Sequence, residues 1–347
     1  MGVLLHMTAM NVFSADPFSM ISLTTAFAKI DYKPQLLGSL GLFTPRPSRT
    51  RSIAVERYNG VLSLIPTSEI GAPPSELTND KRDIRDFRTN RLAKSTTLYA
   101  EELQGIRAFG SESELTQVMA EVLRRGARLR DDMELTHEHL RLGALQGIVY
   151  DADNSTVLKN WFTEFGITQP AEIDFDLDNA SPAAGAVRKK CTAVVRAMQR
   201  ASKGAWTLGT TVHALVGDDF FDLLITHPEV ETTYLNWAAA ADLRQNLSFQ
   251  AFTYGGITWH NYRGTDDNTT VAVDATKAKF FPVGATDVFE VGYAPAEFGP
   301  YVNTLGRELY AIVIPDRDRE AWVREEIYSY PLFICTRPEM LQRAKMT

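Results

Sequence analysis

The sequence predicts an α+β fold, on three observations. Residues 111–142 carry one long helical pattern, with Leu115, Val118, Met119, Val122 and Leu123 at i, i+3, i+4, i+7 and i+8. Three stretches read as hairpins: Ser52–Ile65 about Asn59-Gly60, Ser248–Tyr262 about Gly255-Gly256, and Glu308–Tyr328 about Pro315-Asp316. Between them, over roughly 150–295, short helical and strand patterns alternate.

The elements follow in chain order. Residues 1–45 read as an extended arm with one short helix, Ser22–Ile30, presenting Leu23, Ala26, Phe27 and Ile30 on one face. Arg46, Arg49 and Arg51 make the end of the arm basic. The first hairpin pairs Ser52–Tyr58 with Val61–Ile65, because Asn-Gly supplies the positive φ of a type I′ turn. A lone two-stranded hairpin is marginal in water, so it needs a surface to lie on. Arg82, Arg85, Arg88 and Arg91 recur every three residues, which reads either as a solvated helical face or as a binding stripe. Ser111 or Ser113 is expected to cap the long helix, and Gly126 to be a point where it bends.

Ser181-Pro182 reads as a cap followed by proline at the first helical position, opening a helix to about Ser202 with Val187, Cys191, Val194, Val195 and Met198 inward. Leu208–Leu215 reads as a strand, and Asp218–Ile225 and Pro228–Leu243 as helices. After the Pro315 hairpin, Pro331–Cys335 is the last strand expected.

The composition excludes several classes. At 44% hydrophobic, the chain can bury a large core. No apolar run reaches about 18 residues, so no membrane helix is expected. The first 28 residues hold no Lys or Arg, unlike a secretory signal. A net charge of −7 argues against a general DNA-binding protein. Cys191 and Cys335 are expected to be buried free thiols.

Catalytic and metal motifs are sparse. The chain has no phosphate-binding glycine loop and no nucleophile elbow. His137 and His139 point to different sides of a helix and cannot share an ion, so both read as solvated. Asp151–Ser155 resembles the start of a calcium loop but lacks its later ligands, and reads as a polar turn. A hydrolase using His213 or His260 with Asp218 or Asp219 is a second reading, without a marked nucleophile. His260, beside Trp259, reads as a packing residue. No catalytic, cofactor or metal residue is assigned. What remains is an arm and a hairpin that one copy leaves uncovered, the pattern of an assembly subunit.

Three groups of residues carry a family resemblance: Leu23–Ile30 with Pro34, Leu40-Gly41-Leu42-Phe43, Ile53–Glu56, Gly60 and Gly71-Ala72-Pro73; then Leu103–Gly110; then Phe252, Gly255-Gly256, Tyr262-Arg263-Gly264, Phe281–Gly284 and Tyr293-Ala294-Pro295, with Tyr330–Phe333. In these the chain resembles the lambda-type (capsid E family) major capsid proteins of tailed bacteriophages. The resemblance implies the HK97 fold: an N-arm (1–45), an E-loop (46–78), a P domain with its spine helix (79–150 and 296–330) and an A domain (151–295 and 331–347). It implies a subunit of an icosahedral head, self-assembling into hexamers and pentamers around packaged double-stranded DNA, within the host bacterial cytoplasm. A portal, a separate scaffolding protein and a decoration protein would be the other partners. An encapsulin-like compartment shell is the alternative on the same fold. The expected intersubunit residues are Arg46, Arg49 and Arg51 on acids of a neighbour, the Asn59-Gly60 hairpin tip, and ion pairs from Asp316, Arg317, Asp318 and Arg319.

Overall fold

The computed structural model describes residues 19–29, 35–58, 82–104, 114–235, 251–265 and 270–347. Asn59, Gly60, the Val61–Ile65 limb, the Ser111 and Ser113 caps and the end of the Pro228–Leu243 helix lie outside them.

Helix α1 (Met20–Ala28) falls within a residue or two of its expected position and buries Leu23 and Phe27, one turn apart. Its Thr24 hydroxyl, also buried, accepts from the Ala311 N–H at 3.0 Å and the Tyr301 hydroxyl at 2.9 Å. Helix α2 (Leu36–Ser39) and strand β1 (Thr44–Pro47) follow, and β1 pairs in parallel with residues 289–293. This part of the arm is therefore seated on its own subunit.

Strand β2 (Ser52–Tyr58) pairs antiparallel with β3 (Arg82–Arg88), in register Ser52↔Arg88 to Tyr58↔Arg82. This ladder brings in a partner more than 20 residues on, beyond the reach of the local Asn-Gly signal, while the expected Val61–Ile65 limb lies outside the described residues. The ladder corrects the helical reading of the arginine series. On a strand, a spacing of three alternates faces. Arg85 thus turns inward to the Glu164 carbonyl, and Arg88 turns out to solvent.

Strand β4 (Leu92–Tyr99) and helix α3 (Ala100–Gln104) lead to α4 (Glu114–Gln146), 33 residues and about 50 Å long. The helix is continuous through Gly126. A Cβ there would meet Phe27 Cζ at 2.2 Å and Glu325 Oε1 at 2.8 Å, so this glycine is a close-packing position. On the exposed side, hydrogen bonds from Arg124, aided by Arg125, pull the Glu121 carboxyl down to about 2.

Strands β5 (Ile148–Tyr150) and β6 (Val157–Asn160) form a hairpin. Its turn is polar, as expected: Asp153 accepts from the Ser155 and Thr156 N–H groups and the Thr156 hydroxyl. Asn160 caps α5 (Trp161–Glu164). After β7 (Ile173–Asp174) comes α6 (Ala186–Ala201). It begins past Ser181-Pro182, after Gly185 at φ +76°. The expected stripe holds: Val187, Cys191, Val194 and Met198 are fully buried. Strand β8 (Thr211–Val216) starts later than expected because residues 207–210 form a turn that leaves Leu208 in solvent.

Helices α7 (Asp218–Thr226) and α8 (Pro228–Leu235) precede β9 (Phe252–Tyr254) and β10 (Ile257–Asn261). These strands meet at Gly255 and Gly256, both at positive φ (+63° and +78°), as a type I′ turn requires. Then come β11 (Lys277–Val283), β12 (Phe289–Tyr293), β13 (Tyr310–Pro315), β14 (Trp322–Ser329), β15 (Pro331–Cys335) and β16 (Gln342–Lys345). The last was not expected, since Gln-Arg-Ala-Lys has no strand-like apolar period.

Three sheets organise these strands, ordered β7-β16-β11-β8-β10-β9, β1-β12-β15 and β13-β14-β4. α6 and α7 pack on the first around Phe175, Phe220, Trp259 and Phe280, each burial being favourable by roughly 1.5–3 kcal/mol. α4 packs on the other two. Both cysteines are free and buried, and burial pushes the Cys191 thiol up to about 12.

Glu325 of β14 lies buried beneath α4, with Oε1 unpartnered. Burial raises its carboxyl to about 8, with Glu121 adding to the shift and Arg125 opposing it. Unfolded, it titrates near 4.5. Between those values the native state holds a proton that the unfolded state has released, so stability falls as pH rises from 4.5 to 8. Glu325→Gln should remove that slope. Urea denaturation of the unassembled subunit should find the variant close to wild type at pH 5 and more stable at pH 8, by on the order of a few kcal/mol. Equal slopes in the two proteins would contradict this assignment.

Candidate assembly surfaces

The base of the β2–β3 hairpin packs on its own subunit. Ile53, Val55 and Phe87 are buried in the largest core cluster. The Phe87 ring meets Trp161 edge-on at 5.2 Å, and a Cβ at Gly292 would clash with Ile53 Cδ1 at 2.1 Å. The expectation that this apolar side faces water in a single copy is thus corrected, because α5 and β12 cover it. The opposite face presents Ile84, more than half exposed.

The arm arginines are also committed at home. Arg46 pairs with Glu290 at 2.9 Å and Asp287 at 3.4 Å. Arg51 pairs with Glu297 at 3.0 Å, and Arg91 reaches the same carboxylate at 3.1 Å. One acid therefore clamps both strands of the hairpin at their base. Within one chain Arg46 and Arg51 thus meet acids of their own subunit, while both side chains stay more than half exposed. Arg49 is exposed and makes no ion pair among the described residues.

The loop joining β13 and β14 is closed by Asp316. Its carboxylate accepts from the Asp318, Arg319 and Ala321 N–H groups at 3.1, 3.4 and 3.2 Å, and those bonds lower its pKa. Asp316 therefore closes its own loop. Arg317, Asp318 and Arg319 stand exposed at the tip, and none has an ion pair among the described residues.

The histidine–aspartate reading dissolves. His213 Nδ1 and His260 Nε2 share a hydrogen bond at 2.9 Å across neighbouring strands, while the Asp218 carboxylate is held by Arg263 at 3.0 and 3.3 Å. Burial, with His213 adding, brings His260 down to about 4. Among the described residues no helix is long and apolar enough to cross a membrane.

The reading of His137 as solvated is also corrected, whereas His139 is partly exposed and bonds the Asp151 carbonyl at 3.1 Å. His137 and Glu138 are both fully buried. Glu138 accepts from the Leu37 and Gly38 N–H groups at 2.8 and 3.1 Å and from the Tyr262 hydroxyl at 3.2 Å, capping α2 from the long helix. A signal was available: Met133, His137, Leu140 and Ala144 continue one i, i+4, i+7, i+11 stripe.

A long helix under a three-stranded sheet, an α+β domain and a projecting hairpin are the parts of a shell subunit. Solved structures with this arrangement include the protein described as the capsid protein of a prophage of E. coli CFT073 (12% identity, 94% of this chain and 99% of that one, TM-score 0.57). Another is the capsid of an empty GTA particle (12% identity, 92% of each chain, TM-score 0.50). These likenesses show a capsid fold of the HK97 type.

The sequence narrows this further. The chain belongs to the family described as phage major capsid protein E, whose profile matches residues 19–346. It is 26% identical to the major capsid protein of Salmonella phage Felix O1 over 93% of this chain and 95% of that protein. It is 27% identical to that of Pseudomonas phage KPP10 over 81% of this chain and 84% of that protein.

Proposed function

We propose that the chain is the structural subunit of an icosahedral phage head, assembling into hexamers and pentamers around packaged double-stranded DNA. The observation that carries this is the match to the capsid family across nearly the whole chain. In this reading residues 52–88 form the E-loop, since β2 and β3 are one ladder. α4 is the P-domain spine, and the six-stranded sheet is the A domain. The acidic balance suits a shell that holds DNA without binding it tightly. Assembly takes place in the bacterial cytoplasm with a separate scaffolding protein and a portal, and a decoration protein would bind the finished shell. Catalysis has no part in it. Electron microscopy of the purified protein tests the proposal: shells or capsomer rings are expected, and a small inert oligomer with hydrolytic turnover would overturn it.

The loop tip offers a finer test. In this reading Arg317, Asp318 and Arg319 pair with neighbouring copies around a symmetry axis. One exposed pair contributes only about 0–1 kcal/mol, but repetition multiplies it, and salt weakens it. Arg317→Ala with Arg319→Ala should assemble poorly at low salt, as wild type does at high salt, when shell yield is followed by sedimentation. Normal yield from the variant at both salts would remove this loop from the contact.

A further inference from the structure

We propose that Glu134, His137 and Glu308 form a binding site for one first-row divalent transition-metal ion. Glu134 and His137 stand three residues apart on one face of α4, and Glu308 comes from the segment entering β13. One ligand atom from each lies within 4.8 Å of the others, and His137 Nδ1 is 3.9 Å from Glu308 Oε1.

Two of these three residues carry a buried polar atom without a partner. His137 is wholly buried and Glu134 is 4% exposed, yet His137 Nδ1 and Glu134 Oε1 have no hydrogen bond. An unsatisfied buried polar atom is costly and needs an explanation.

The tautomer sharpens the point. The Ser329 hydroxyl donates its one proton to the Glu308 carbonyl at 2.6 Å. At 3.0 Å it must therefore accept from His137 Nε2–H. Nδ1 then carries a lone pair, and it faces carboxylate oxygens. The three side chains converge, and neither Glu134 Oε1 nor His137 Nδ1 is bonded by a nearby cation. The Ser329 contact is the kind of outer-shell bond that orients a metal-ligating histidine.

The surrounding cations leave room. Arg141 takes the other oxygen of Glu134, at 3.4 Å, and reaches Glu138 at 3.6 Å. Arg130, one turn before Glu134, also acts on it electrostatically and donates to the Phe27 carbonyl. Neither arginine occupies Glu134 Oε1.

One imidazole nitrogen with two carboxylates suits zinc and its neighbours, whereas calcium and magnesium want oxygen alone. With bonds of about 2.1 Å, tetrahedral ligand atoms lie about 3.4 Å apart. The cluster must therefore close by about an ångström. The Glu308 side chain, 40% exposed, can swing in from the solvent side and also marks the entry path. An ion here would tie the long helix to the β13–β14 strand pair.

The test uses the full-length protein, stripped with chelator, dialysed and titrated with zinc chloride by calorimetry. One zinc per chain is expected. Glu308→Gln, at the half-exposed edge, should fold as wild type by circular dichroism and bind at least about tenfold more weakly. Copper(II) loaded in place of zinc gives a reading that needs no variant: pulsed electron paramagnetic resonance should show one coordinated imidazole. Absence of zinc binding would overturn the proposal. Equal zinc affinity in the folded Glu308→Gln variant, or copper without a coordinated imidazole, would overturn it as well.

Discussion

A subunit in which residues 59–81 are replaced by a two-residue Asn-Gly turn should fold normally and fail to close shells. Tyr58 and Arg82 are directly paired at the end of the β2–β3 ladder, so a two-residue type I′ turn can join them without disturbing the register. The base stays, with Ile53, Val55 and Phe87 in the core and Glu297 clamping Arg51 and Arg91. What is removed includes Val61, Leu62, Leu64 and Ile65, the apolar residues proposed to lap over a neighbour. Circular dichroism melts should match wild type, and electron micrographs should show no closed particles. Intact shells would refute the lapping role.

A larger cut behaves differently. Deleting 50–66 also removes Ile53 and Val55, and large-to-small changes at such buried sites cost about 0.5–5 kcal/mol each. Against a total stability of about 5–15 kcal/mol, that deletion should unfold the subunit. Loss of shells from it would say nothing about assembly.

Gly126→Ala should destabilise the subunit, although alanine is the better helix former by about 1 kcal/mol. The new methyl would stand 2.2 Å from Phe27 Cζ, and the Phe27 ring is 1% exposed and hemmed by Leu23 and Leu129. Overpacking of this kind costs about 1–3 kcal/mol. Phe27→Ala alone leaves a cavity and should cost about 3–5 kcal/mol. The double variant should be close in stability to Phe27→Ala alone, because the ring clash is then gone, only Glu325 Oε1 at 2.8 Å has to give, and helix propensity improves. Denaturant midpoints of the four unassembled proteins close the cycle, and strictly additive losses would show that the two residues do not meet.

The elements that the sequence disclosed are those whose signal is carried by a few neighbouring residues. The Leu23–Phe27 face, the Val187–Met198 stripe, the Gly255-Gly256 turn and the Pro315 hairpin all rest on periods of 3.6 or 2, or on turn chemistry. Each is set by the backbone within its own window. The whole-chain resemblance added the family, because packing and turn glycines and aromatics recur in order even where no catalytic motif exists.

Pairing across distance followed another rule. That β2 takes β3 as partner, that β1 joins β12 in parallel and that polar β16 becomes an interior strand were settled by which edges the folded core left open. The same holds for polar side chains. Arg46 and Arg51 read as free anchors until β1 brought them against Glu290 and Glu297. Asp316 read as a tip charge until its own loop N–H groups claimed it. His137 read as solvated until sheets closed over α4. A charge written in the sequence keeps its sign but not its solvent exposure. Its partner depends on desolvation and distance, and these exist only once the chain is folded.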